Sequence, residues 1–97
     1  MGGEPLADKN LQGVLNLVNK IRLLFGNSKT IWLYTGYTLT ECLLDINKDK
    51  IIKQCDIVVD GRYIDELRDI TLKWRGSSNQ KIWENTNGDW RDISNEI

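Results

Sequence analysis

Histidine is absent from this sequence and cysteine occurs only twice, and these shortages exclude several common kinds of active site. Without histidine the chain cannot assemble a Ser-His-Asp or Cys-His arrangement, nor use a histidine as a general base or metal ligand. Cys42 and Cys55 lie in separate segments and lack the Cys-x-x-Cys spacing of a zinc or redox site. We interpret both as reduced, partly buried apolar residues.

The sequence also lacks long apolar runs and an excess of charge of either sign. No run approaches the roughly 18 residues of a membrane span, and the first residues do not form a basic segment followed by an apolar one. Thirteen basic residues stand against 14 acidic ones, so no basic field is available to neutralise a nucleic-acid backbone. We therefore expect one cytoplasmic domain over residues 1–97, without membrane or nucleic-acid partners.

Hydrophobic spacing predicts alternating helices and strands. Apolar residues recur on one helical face from Ala7 to Phe25, and Gly26 follows as a stop signal. The next run, TIWLYTGY at residues 30–37, is typical of a strand buried on both faces. Thr38 and Glu41 form a capping-box pattern that opens a short helix through Ile46, and residues 47–50 are expected to break it before one more helical turn at residues 51–52.

The second half of the chain contains a further apolar strand and weaker signals. Residues 55–62, CDIVVDGR, again indicate a strand covered on both faces. Two brief strands are expected at residues 71–75 and 80–83, and the tail at residues 85–97 is expected to form a hairpin or to be loose. This alternation predicts an α/β fold with a parallel sheet, in which a strand that normally precedes the first helix is missing.

Glycine and polar residues occur together at three positions where strands end or a strand is expected to have ended. These are Gly2-Gly3-Glu4, Thr35-Gly36-Tyr37 and Asp60-Gly61-Arg62. Because ligands of parallel α/β proteins gather at the carboxyl ends of strands, the three ends together predict a site for a small polar molecule. The alternative is that these residues only form tight turns.

Four stretches in this order resemble a known family. GGEPL is similar to the Gly-Gly-Glu motif of the radical S-adenosylmethionine superfamily, and IWLYTGY, CDIVVDGRY and LRDITLKWRGSSNQKI resemble the activating proteins of anaerobic, class III ribonucleotide reductase. The resemblance covers about residues 2 to 82, and we assign residues 1–84 to the family-like part. It implies that the fold is part of a parallel (β/α) barrel of the radical S-adenosylmethionine type.

The resemblance also implies a cofactor, a partner and roles for individual residues. In the family, S-adenosylmethionine binds one iron of a [4Fe-4S] cluster and is cleaved to a radical that removes hydrogen from a glycine of the reductase's catalytic subunit. The backbone of Gly2, Gly3 and Glu4 would bind the amino group of S-adenosylmethionine. Thr35, Asp60 and Arg62 would face its ribose or its carboxylate.

One departure from the family pattern affects the expected activity. The family holds its cluster with a Cys-x-x-x-Cys-x-x-Cys segment that precedes the Gly-Gly-Glu turn, and this sequence has no such segment. We therefore expect the chain to be the C-terminal part of such an activase, inactive by itself, with a cluster-binding N-terminal segment supplied upstream or in trans. The competing interpretations are a non-catalytic module that docks on the reductase or self-associates, and a small βα nucleotide-binding protein.

The segment WRGSSNQ, residues 74–80, contains no obvious catalytic group. A donor-rich loop made by Arg75, Ser77, Ser78 and Asn79 could bind the reductase. Polar side chains of these types also cap their own turns, so a purely structural loop is the alternative.

Overall fold

The computed structural model describes residues 3–96, which form helices packed on one four-stranded sheet. The helices are α1 (Leu11–Phe25), α2 (Leu39–Leu44) and α3 (Ile46–Ile52), and the strands are β1 (Trp32–Tyr34), β2 (Ile57–Asp60), β3 (Lys81–Thr86) and β4 (Asp89–Asp92). Single 3-10 turns precede α1 and follow β2. Within residues 3–96 no helix is both long and apolar enough to cross a bilayer.

The sheet is mixed, which corrects the expectation of a purely parallel one. The strand order is β1-β2-β3-β4, with β1 and β2 parallel and the other two pairs antiparallel. The reason lies in the connections. Two helices link β1 to β2, as a parallel crossover requires, whereas β3 and β4 are joined by a tight turn at Asn87 and Gly88, both with positive φ. Of the two alternatives for the tail, a hairpin or a loose segment, residues 89–92 thus form the hairpin, with β3 as the partner strand.

The helices cover one face of the sheet and form the larger part of the core. Leu33 and Val58 point from β1 and β2 into this core. They meet buried residues of the helices and of the N-terminal turn, namely Leu6, Val18, Leu39, Cys42, Ile51 and Ile52. The opposite face carries a smaller cluster made by Ile57, Val59, Ile82 and Ile93. Strand β2 is buried on both faces, as expected from its continuous apolar sequence.

Strand β1 differs from its prediction because it lies at the edge of the sheet described here. Leu33 is buried, but Trp32 and Tyr34 on the other face are 38% and 48% exposed. The end of α1 is similar, since Leu24 and Phe25 were expected on its buried face and are instead exposed. The apolar face of α1 is covered only where the sheet and α3 lie beneath it.

Two predicted boundaries were wrong for identifiable reasons. Residues 47–50 do not break a helix but lie inside α3, because Asp45 caps that helix by accepting hydrogen bonds from the backbone amides of Asn47 and Lys48. Residues 71–75 do not form a strand. Trp74 has a φ of 69°, which an extended strand does not allow, and its ring instead packs on Trp32 at a centroid distance of 5.4 Å. The capping box of Thr38 and Glu41 was predicted correctly.

Candidate functional site

The turn that contains Glu4 is attached to the carboxyl end of β1 by the Glu4 side chain. Its Oε2 accepts hydrogen bonds from Thr35 Oγ1 at 2.7 Å and from the amide of Leu6 at 2.9 Å, and its Oε1 accepts from the amide of Gly36 at 2.5 Å. A Cβ at Gly36 would lie 3.2 Å from Glu4 Oε1, so a side chain there would crowd this carboxylate. Sequence positions 4 and 35–36 therefore meet in one site.

The strand ends are also connected to each other. Thr35 is buried, its amide donates to the carbonyl of Val59 at 3.0 Å, and its hydroxyl accepts from the amide of Tyr37 at 3.2 Å. The amide of Gly61 donates to the carbonyl of Tyr37 at 3.0 Å. The loops that follow β1 and β2 are thus held side by side, as expected for neighbouring parallel strands.

A shallow pocket of about 310 Å³ opens between these loops and the Glu4 turn. Its walls combine backbone at glycine positions, two tyrosine rings and a few polar side chains. The lining residues are Gly3, Glu4, Pro5, Tyr34, Thr35, Gly36, Val59, Gly61, Tyr63 and Gln80. Its volume lies at the lower limit of ordinary small-molecule sites.

The structure brings some of the sequence-predicted site residues together and separates others from the pocket. Gly3, Glu4 and Thr35 line it, whereas Gly2 lies outside the described residues. Asp60 is buried beside it, and its carboxylate accepts from the amides of Leu39 at 2.6 Å and Lys81 at 3.3 Å. Arg62 is exposed, and its Cγ would lie 3.6 Å from a Cβ at Gly36.

The segment at residues 75–80 forms a loop held by its own polar groups. Arg75 Nη1 donates to the carbonyl of Gln80 at 2.6 Å, and Ser77 Oγ, which is buried, accepts from the amide of Ile64 at 3.2 Å. Asn79 Nδ2 donates to the carbonyl of Arg62 at 2.7 Å, while Ser78 is exposed. These contacts are those expected of the structural alternative, and they place the loop against the residues that follow β2.

The pocket residues that were not recognised as site residues in the sequence include Tyr34, Tyr63 and Gln80. Tyr63 directly follows the Asp60-Gly61-Arg62 strand end, and this position was the available signal. Gln80 closes the loop, because its Oε1 accepts from the amides of Gly76 and Ser77 and its Nε2 donates to the carbonyl of Gly61. Gln80 therefore joins the loop to the pocket wall.

The two cysteines do not form a reactive or metal-binding site. Burial raises the pKa of the Cys42 thiol to about 11 and that of Cys55 to about 12, so both stay protonated near neutral pH. Among residues 3–96 no group of three or more cysteine, histidine or carboxylate side chains is arranged to hold a metal ion. An iron-sulfur cluster with four irons is ordinarily held by at least three thiolates, and this chain has two cysteines, on separate elements.

Comparison with known proteins identifies the class first. The family model described as a 4Fe-4S single cluster domain matches residues 1–83, so the chain belongs to that family. The chain is also similar to proteins named anaerobic ribonucleoside-triphosphate reductase-activating protein, which confirms the resemblance seen in the sequence. No solved structure matches it.

The similarity to these relatives extends over most of the chain. The relative from Enterobacteria phage T4 is 40% identical over 93% of this chain, that from Vibrio cholerae serotype O1 is 44% identical over 84%, and that from Escherichia coli K12 is 40% identical over 84%. The matches cover 54%, 50% and 51% of those proteins, so the chain spans about half of their length.

Proposed function

We propose that this chain provides the S-adenosylmethionine-binding part of an activating enzyme that acts on anaerobic ribonucleotide reductase. The observation that carries the proposal is the attachment of the Glu4 turn to the carboxyl end of β1, beside a pocket of about 310 Å³. The printed names of the relatives support the reductase as the partner. The chain spans about half the length of these relatives, and we propose that the activity requires a protein of their full length and takes place in the cytoplasm.

Within this proposal the residues divide into those that contact the ligand and those that hold the site. The backbone of Gly2 and Gly3 binds the amino group of S-adenosylmethionine, and the guanidinium of Arg62 binds its carboxylate. Glu4, Thr35 and Asp60 hold the surrounding backbone, because their side-chain oxygens already form hydrogen bonds with the protein. The last two thereby take a positioning role instead of the direct contact inferred from the sequence.

The two cysteines of this chain do not fit a [4Fe-4S] cluster, although the family is described by one. We propose that the cluster ligands lie on a further segment, either continuous with Gly2 in a longer protein or supplied as a second polypeptide. The purified 97-residue chain is then expected to bind no iron after anaerobic reconstitution. Iron and sulfide near four per chain would contradict this.

The binding proposal can be tested by titrating S-adenosylmethionine into the labelled protein and following backbone amide signals by NMR. Shifts are expected at Gly36 and Gly61, which line the pocket, and not at Asn85 or Gly88 at the other end of the sheet. Shifts confined to the other end, or none at saturating ligand, would refute binding at this pocket. Tetramethylammonium, a cation without the methionine and adenosine groups, is the control at the same ionic strength for nonspecific charge effects.

A second candidate is a non-catalytic module that docks on the reductase or on another copy of itself. The observation that favours it is apolar exposure on the helical side, where Leu23, Leu44 and Ile46 are 85%, 84% and 75% exposed. Strand β1 also pairs on one side only within the described residues. Sedimentation velocity over a hundredfold concentration range tests the self-association part of this candidate, because a concentration-independent monomer would exclude it.

Reductase binding through the loop at residues 75–80 is a separate part of the proposal. The chain offers a clear pair of variants, because Arg75 is tied to the Gln80 carbonyl whereas Ser78 is exposed. If the loop contacts the reductase, Ser78→Arg should weaken binding while leaving the fold intact. Equal binding by wild type, Ser78→Arg and Arg75→Ala, each still folded, would leave only the structural role.

A further inference from the structure

Tyr63 is held in the pocket wall by contacts on two sides. A Cβ placed on Gly76 would lie 2.9 Å from Tyr63 Cδ1 and 3.1 Å from Cε1, so the bare backbone of Gly76 fits against that side of the ring. The hydroxyl of Tyr63 donates to Asp65 Oδ1 at 3.1 Å. A ring restrained in this way loses little freedom when a ligand covers its exposed part.

The loop at residues 75–80 is what keeps Gly76 in place. Gln80 Oε1 accepts from the amide of Gly76 at 2.9 Å, and Gln80 Nε2 donates to the carbonyl of Gly61, which itself lines the pocket. The loop therefore fixes Gly76 and the strand end by the same side chain. Tyr63 is nevertheless half exposed, at 50%, and lines the pocket.

We infer that Tyr63 is the stacking surface for the purine base of the ligand, and that the loop at residues 75–80 serves to position it. This inference rests on the proposed binding of S-adenosylmethionine. Glu4, Gly36 and Gly61 line the polar side of the pocket, whereas Tyr34 and Tyr63 supply its aromatic surface. A planar base stacks on an aromatic ring through its π-face, and it leaves the polar side to the amino acid end of the ligand.

Tyr63 is the better candidate of the two tyrosines. Tyr34 belongs to β1 and shares a sheet face with Trp32, so its ring is part of the surface of the sheet. Tyr63 belongs to the segment after β2, and the backbone of Gly76, from the loop at residues 75–80, packs against its half-exposed ring. By positioning Tyr63, the loop at residues 75–80 would do more than cap its own turn.

The test compares two ligands that share a methionine sulfonium, of which only S-adenosylmethionine carries the ribose and the base. S-adenosylmethionine and S-methylmethionine are each titrated into wild type, Tyr63→Leu and Tyr63→Phe, with affinities measured by NMR. Tyr63→Leu is expected to weaken S-adenosylmethionine about tenfold and to leave S-methylmethionine unchanged. Tyr63→Phe, which keeps the ring, should bind both ligands within about twofold of wild type.

Two further variants separate stacking from general damage to the fold. Phe25→Leu removes an aromatic ring of similar exposure, 46%, outside the pocket and should change neither affinity. Gly76→Ala should displace the Tyr63 ring and reproduce the selective loss seen with Tyr63→Leu.

Equal weakening of both ligands by Tyr63→Leu, or no weakening, would overturn the inference while leaving the proposed function intact. Failure of wild type to bind either ligand would overturn the proposed function and this inference together.

Discussion

The two ends of the sheet each carry a depression, and the smaller of the two is the one that we propose as the binding site. The depression at the amino ends of β1 and β2 has a volume of about 1000 Å³, whereas the pocket at their carboxyl ends has about 310 Å³. The larger one is lined by Arg22, Asp56, Glu84 and Asn85, residues that would suit a charged ligand. Size and polarity alone would therefore select the amino end.

The hydrogen bonds instead favour the carboxyl end of the sheet as the binding site. Arg22 at the amino end donates to the carbonyls of Gln54, Gly26 and Lys29 and to Asp56 Oδ2, which also accepts from the amide of Ile31. These groups join the end of α1 to the loops that precede β1 and β2, and they have little capacity left for a ligand. At the carboxyl end, the side chains hold the backbone and leave glycine positions and two tyrosine rings open. The amino end is therefore structural, because its polar side chains already form hydrogen bonds with the protein. The carboxyl end is the binding end, because it leaves surface open to a ligand.

The largest effect is expected from Arg22→Ala, which removes the side chain that donates to several carbonyls and to Asp56 at the amino end of the sheet. We expect unfolding free energy to fall by about 3 kcal/mol, because several carbonyls and the partly buried Asp56 carboxylate lose a charged donor. Urea denaturation monitored by tryptophan fluorescence measures this loss. Ligand binding at the carboxyl end should be unchanged in the folded fraction.

The matched variant is Arg22→Lys, which keeps the charge but lacks the planar fork that reaches several acceptors at once. It should lose most of the same stability. If folded Arg22→Ala protein bound S-adenosylmethionine more weakly than wild type, the amino end would not be merely structural. The distinction between the two ends of the sheet would then fail.

A smaller loss of stability and a larger loss of binding are expected from Glu4→Ala at the carboxyl end. Removal of the carboxylate leaves the buried hydroxyl of Thr35 and the amide of Gly36 without their acceptor, at a cost of about 2 kcal/mol. The turn that carries Gly3 is then no longer fixed to β1. Affinity for S-adenosylmethionine should fall at least tenfold in protein that is still folded, measured by NMR titration.

Glu96→Ala provides the control for loss of an acidic residue. Its carboxylate pairs with Arg91 at 2.8 Å on an exposed surface, so its removal should leave stability nearly unchanged. If Glu4→Ala resembled Glu96→Ala in both stability and binding, the Glu4 contacts would not hold the site.

Sequence reasoning located the carboxyl end of the sheet better than it described the fold. The motif at Gly3-Glu4 and the strand ends at Thr35 and Gly61 were identified because glycine next to a polar residue is a local signal. The role of the Glu4 carboxylate was not predicted, because its partner at Thr35 is 31 positions away and only tertiary structure brings the two together.

The wrong predictions about the fold have the same physical origin. Residues 47–50 read as a helix breaker by composition, but capping by Asp45 allows a new helix to begin there. Trp74 lies in a segment that was predicted as a brief strand, yet its backbone has a positive φ and its ring packs on Trp32, a residue far away in sequence. A segment does not adopt the secondary structure that its local sequence favours where a contact with a distant residue is stronger.

An intermediate effect on stability is expected from Thr38→Ala, which removes the cap of α2 behind the carboxyl end. Thr38 Oγ1 accepts from the amide of Glu41, and Glu41 Oε1 accepts from the amide of Thr38. Loss of this capping box should cost about 1 kcal/mol in urea denaturation. Thr40→Ala, an exposed threonine within the same helix, should cost much less, and an equal cost would show that the cap contributes nothing specific.

The smallest effect, and the only favourable one, is expected from Gly13→Ala in α1. No atom lies within 4 Å of a Cβ at this position, so alanine should stabilise the helix by about 0.5–1 kcal/mol. Because α1 begins beside the Glu4 turn and carries Arg22 in its last turn, this change stiffens the element that links the two ends of the sheet. If the ends act separately, urea denaturation will show the gain while affinity for S-adenosylmethionine stays within twofold of wild type. A gain in stability accompanied by a loss of affinity would instead show that the pocket depends on flexibility in α1, and that the two ends are coupled through it.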